Sequence, residues 1–69
     1  MTKEFYLSTE FITLTQLLKI THLVGSGSDA HFLITEGRVK LNGKIDTRKR
    51  AKVYKNDLVT FGDTTIKVM

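Results

Sequence analysis

Two hydrophobic periodicities divide the chain near Gly37. Before it, Leu14, Leu17, Leu18 and Val24 recur at helical spacing, with Ile20 and Leu23 widening the apolar face. Ala30, Leu33, Ile34 and Gly37 then fall at i, i+3, i+4 and i+7. After it, apolar and polar residues alternate. The first pattern predicts a helix over 14–24. Thr13 and Gln16 form a capping box at its start, Ile12 and Leu17 flank the cap as a staple, and Gly25 is the left-handed residue that ends it. Ser26 with Asp29 opens a second helix, which Gly37 closes. Small Ala30 allows the two helices to approach closely across the Gly25-Ser26-Gly27 turn.

The remaining segments read as strands. Residues 4–7 form a short edge strand with Phe5 and Leu7 on one side. Val39 to Leu41 leads into Asn42-Gly43, a strong hairpin signal. A two-residue turn pairs Leu41 with Lys44 and mixes apolar with charged residues. A three-residue loop of Asn42, Gly43 and Lys44 pairs Leu41 with Ile45 and is the preferred register. Strands over 51–54, 58–61 and 65–68 follow, separated by Lys55-Asn56-Asp57 and Gly62-Asp63-Thr64. The expectation is one α+β domain spanning 1–69, a two-helix corner packed on a small, mainly antiparallel sheet.

At 69 residues the core is thin, and a large multi-step enzyme is excluded. Absence of Cys removes disulfides, thiolate metal sites and a cysteine nucleophile. His22 and His31 fall on different helices without a third ligand, so neither a metal site nor any other cofactor is expected. Asp57 and Asp63 are explained by turn chemistry, and no catalytic triad, carboxylate pair or phosphate loop is present. No apolar run is long enough for a membrane span and no signal peptide is evident, so the expected compartment is the cytoplasm.

Charge sharpens the picture. The net charge is +4, from eleven Lys and Arg against seven Asp and Glu. From Arg38 to Lys55 there are eight cations and one acid, Asp46, a net of +7; the rest of the chain is −3. Such polarity orients a polyanion towards one face. Arg38, Lys40 and Lys44 lie around the hairpin, and Arg48, Lys49, Arg50 and Lys52 follow in the connection to the next strand. Crowded cations repel one another, and phosphates relieve that cost. Phe32 and Tyr54 are candidate base-stacking residues. Phe32 fits packing beneath the N-terminal strand better, whereas Tyr54 takes the outward phase if Val53 points in.

The ordered string from Thr13 through Ser26-Gly27-Ser28-Asp29-Ala30 and Leu33-Ile34 to Gly37-Arg38-Val39-Lys40-Leu41-Asn42-Gly43-Lys44 resembles the RNA-binding domain named after small-subunit ribosomal protein four, the alpha-L motif. The likeness runs over about 12–61, and Lys55-Asn56-Asp57-Leu58-Val59 looks like the family's later turn and strand. The basic run and the extra N-terminal strand look most like small stand-alone bacterial members of the YaaA or YbcJ type. The resemblance implies binding of structured RNA, ribosomal or transfer, in a groove between the second helix and the hairpin, by a ribosome-associated, non-catalytic protein expected to be monomeric. It places His31 and Phe32 where many members have basic residues, and matches Arg38, Lys40 and Lys44 to basic positions. Asn56 replaces the usual glycine. Two alternatives stand beside it. A helix-turn-helix DNA-binding protein is disfavoured because residues 29–36 contain no Lys or Arg. A protein-interaction or assembly factor would pair through the N-terminal strand edge. A sulfur-carrier role is disfavoured by the Lys67-Val68-Met69 end.

Overall fold

The computed structural model describes every residue from Met1 to Met69. Seven short strands and two helices alternate along it: β1 (Thr2–Phe5), β2 (Ile12–Thr13), α1 (Leu14–Ile20), α2 (Gly27–Thr35), β3 (Val39–Leu41), β4 (Lys44–Ile45), β5 (Lys52–Val53), β6 (Leu58–Phe61) and β7 (Thr64–Val68). The main sheet has the order β1-β7-β6-β3-β4. Its pairings are antiparallel except that of β1 with β7. A second ladder of β2 and β5 stands apart. The two helices pack against each other, and their apolar faces meet the strands in one core.

Every buried side chain is apolar. Leu14, Leu17 and Leu18 of α1, Ala30 and Ile34 of α2, and Val39, Val53, Val59, Ile66 and Val68 of the strands are fully enclosed. No charged side chain is fully buried. Neither helix is long and apolar enough to cross a membrane.

Both helix starts follow their local signals. Thr13 and Gln16 exchange backbone and side-chain bonds, and Ser26 Oγ accepts from the Asp29 N–H. The end of α1 differs from expectation. The helix stops at Ile20 because His22, not Gly25, adopts the left-handed conformation (φ 62°). His22 N–H donates to the Lys19 carbonyl and Leu23 N–H to that of Leu18, the paired bonds of a Schellman motif. Leu23 then packs against the core. Gly37 does close α2, at φ 76° with the same two bonds.

Strand expectations were met in part. The N-terminal strand is an edge strand, as expected, but lies two residues earlier, with Leu7 buried just beyond it. From the sequence, Ile12 and Thr13 are expected only as a staple and a cap. They also form a strand, pairing Ile12 with Val53 and Thr13 with Lys52.

Candidate nucleic-acid interface

The hairpin adopts the two-residue register: Leu41 faces Lys44 and Lys40 faces Ile45. The expected three-residue loop fails for two physical reasons. Asn42 and Gly43 are both left-handed (φ 53° and 85°), the backbone of a tight hairpin turn. Ile45, moreover, is 59% exposed, so no buried face dictates its pairing. Asn42 fixes the turn to the neighbouring strand. Its backbone N–H donates to the Leu58 carbonyl (2.7 Å), its Oδ1 accepts from Leu58 N–H (2.8 Å), and its Nδ2 donates to Asp57 (3.1 Å).

Just beyond β4 the hairpin ladder gains one more bond, and then an ion pair follows. Asp46 N–H donates to the Val39 carbonyl, and the Asp46 carboxylate accepts from Arg48 Nη2 (2.8 Å), Nε (3.1 Å) and backbone N–H (2.9 Å). The side-chain bonds from Arg48 hold the Asp46 carboxyl below its ordinary pKa, against a partial burial that acts the other way. The same bonds push the Arg48 guanidinium up. Arg48 remains 75% exposed at its side chain against 12% for Asp46, so the pair orients a surface cation without hiding it.

The loop continues onto the first turn of α1. The Lys49 carbonyl accepts from Thr15 N–H (3.4 Å) and Thr15 Oγ1 (2.8 Å), and the Ala51 carbonyl accepts from Leu14 N–H (3.0 Å). Helix starts leave their first N–H groups without intrahelical partners. Here the loop supplies two of them and Thr13 Oγ1 supplies Gln16. Loop and helix start thereby lock each other.

Two adjoining hollows result. Lys44, Asp46, Thr47 and Arg48 line one beside the hairpin, and Arg48, Arg50, Lys52 and Tyr54 line the next. Arg48 belongs to both, and the two hollows, together called the trough, are lined by four of the predicted cations. Arg38, Lys40 and Lys49 are exposed outside it. His31 and Phe32 line neither hollow. Phe32 is 61% exposed and does not pack beneath the N-terminal strand; it borders a separate hollow with Leu23, Val24 and Leu33 at the helix corner. An outward position on α2 at that corner explains the difference.

Tyr54 is outward and 43% exposed, as the phase of β5 requires. Phe11 is its neighbour, which no signal in the sequence marks. The rings lie 6.0 Å apart at 50°, and Lys52 Nζ sits 4.7 Å over the Phe11 ring. Only knowledge of the β2–β5 pairing brings Phe11 into view. No three His, Cys, Asp or Glu side chains converge.

Residues 5–69 match the family profile described as "S4 domain". Over 58 residues the chain is 36% identical to "Putative RNA-binding protein YbcJ" of Escherichia coli (strain K12), covering 84% of this chain and 83% of that one. Over 59 residues it is 36% identical to "Probable ribosome maturation protein RlbA" of Bacillus subtilis (strain 168), covering 86% and 83%. The solution structure of YbcJ from E. coli, described as revealing an alpha-L motif involved in RNA-binding, superposes with a TM-score of 0.71 at 32% identity. That match covers 99% of this chain and 85% of the other.

Proposed function

Because this chain belongs to the S4 domain family, we propose that it is a non-catalytic module binding structured RNA, with ribosomal RNA the leading substrate class and transfer RNA the other. One observation supports the interface above all. Lys44 and Arg48 line one hollow, and Arg48, Arg50 and Lys52 line the next, on β4, β5 and the loop between them, which is strapped to the start of α1. Cations on a stiff scaffold lose little freedom when a phosphate arrives, and each phosphate neutralised releases a counterion. Arg38, Lys40 and Lys49 extend the positive field around the trough, and His31 and Phe32 on α2 offer a secondary contact.

The names of the relatives support this reading, since they describe RNA binding and ribosome maturation rather than a reaction. The same reading places the chain in the cytoplasm as a monomer. The helix-turn-helix alternative is weakened by the surface of α2, which offers Ser28, Asp29, His31, Phe32 and Thr35 without Lys or Arg.

The test is fluorescence anisotropy with labelled ribosomal RNA hairpins over a potassium chloride series. Four trough contacts predict a slope of log affinity on log salt of roughly −3. Reversing Arg48, Lys49 and Arg50 to Glu together is expected to lower affinity at least about 100-fold, with the circular dichroism spectrum unchanged. Affinity that ignores salt, survives the triple reversal, or is matched by duplex DNA overturns the proposal.

A further inference from the structure

In the β2–β5 ladder, Ile12 faces Val53 and Thr13 faces Lys52. Continuing that register by one residue sets Phe11 opposite Tyr54, with Lys52 on the diagonal. Val53 is buried, so Lys52 and Tyr54, on the opposite phase, both project outward. The three side chains therefore form one cluster: Tyr54 tilted against Phe11, and Lys52 Nζ over the Phe11 ring. That ammonium covers a face of Phe11 and leaves Tyr54 as the ring available to a ligand. Tyr54 is also clamped through its backbone, where its N–H donates to Asp57 Oδ2 (2.8 Å) and its carbonyl accepts from Asp57 N–H (3.1 Å). Its hydroxyl makes no hydrogen bond within the protein, unlike that of Tyr6, which donates to Glu4. An aromatic ring held at backbone and side chain, wet on one side and bordered by Arg48, Arg50 and Lys52, is a prepared surface rather than a piece of core.

Resting on the RNA-binding reading above, we infer that Tyr54, braced by Phe11, stacks on one unpaired nucleobase while Arg50 and Lys52 hold the adjoining phosphates. The substrate class is thus a stem interrupted by an unpaired nucleotide, not a continuous duplex. In a duplex each base face is covered by its neighbours, and the A-form major groove is too narrow for a side chain to enter. Only a base outside the stack can meet this ring. Phe11 acts as a positioning residue: it sets the angle of the Tyr54 ring without touching the base.

Two labelled RNA hairpins of identical stem, one with a single bulged adenosine, test the inference at fixed salt. The wild type is expected to bind the bulged hairpin about 5- to 100-fold more tightly, the range of one base–aromatic stack. Tyr54→Leu should abolish the preference, and Tyr54→Phe should keep it. In a Tyr6→Phe background Tyr54 is the sole tyrosine, and its fluorescence should be quenched by the bulged hairpin alone. Phe11→Leu should reduce the preference several-fold and lower the anisotropy of Tyr54 emission in the free protein. If the wild type binds both hairpins equally, or the preference survives Tyr54→Leu, the stacking inference falls while RNA binding stands. If it binds neither, both fall.

Discussion

Asp46 is the one acid within a run of eight cations, and it spends its carboxylate on Arg48. The side-chain bonds from Arg48 lower the Asp46 pKa in the folded protein relative to an unfolded value of about 3.9. A depressed carboxylate pKa contributes stability above the unfolded value and loses it as pH falls through the folded one. Asp46→Asn should therefore lower the thermal midpoint near neutral pH. The gap to the wild type should close on acidification below about pH 3.9, followed by circular dichroism. A gap constant with pH would show that the ion pair is not its source. Asn42 acts by geometry instead. It is left-handed and makes three bonds to Asp57 and Leu58. Asn42→Ala should cost about 1–3 kcal/mol in urea unfolding, with Asn42→Gly recovering the backbone part only. The Asn-Gly turn was legible in the sequence because both residues favour the required backbone. Its register was not, since the exposed Ile45 leaves no buried face to select the pairing, and the turn is anchored to Leu58, sixteen residues away.

At the scale of elements, the basic loop and α1 are one mechanical unit. Thr15 is the joint, since its N–H and hydroxyl both donate to Lys49. Thr15→Val removes the hydroxyl bond and leaves charge and helix start in place. It is expected to weaken RNA binding about three- to tenfold, of the order of one hydrogen bond, and to speed amide exchange over 48–51. Unaltered exchange and affinity would mean that the loop is stiff without the strap. Helix starts were readable beforehand because their bonds span three residues, as in Thr13 with Gln16 and Ser26 with Asp29. The end of α1 was not. Gly25 is the residue that usually adopts a left-handed backbone, yet the buried contact of Leu23 selects a Schellman turn centred on His22. Two-residue strands such as β2 and β5 have no periodicity of their own, and their partners are some forty residues apart. Hence Tyr54 was visible as a candidate and its brace, Phe11, was not.

Across the whole molecule the question is whether RNA senses net charge or the place of the charge. The sheet order puts β4 at one edge and β7 three strands away. At about 4.8 Å per strand that separates Lys44 from Lys67 by roughly 14 Å, beyond the Debye length of about 8 Å at physiological salt. Both lysines are exposed and neither forms an ion pair, so reversing either changes the net charge equally, from +4 to +2. A protein attracting RNA by its overall charge would lose the same affinity in both variants. A protein gripping phosphate in the trough would not, because Lys44 lines the trough while Lys67 lines neither of its hollows. Lys44→Glu should lower affinity about tenfold and flatten the salt slope by about 1, and Lys67→Glu should alter affinity less than about twofold. Equal losses in the two variants would refute a localised interface. Unequal losses would tie binding to a trough that exists only because a hairpin turn, a loop strap and a helix start are built together.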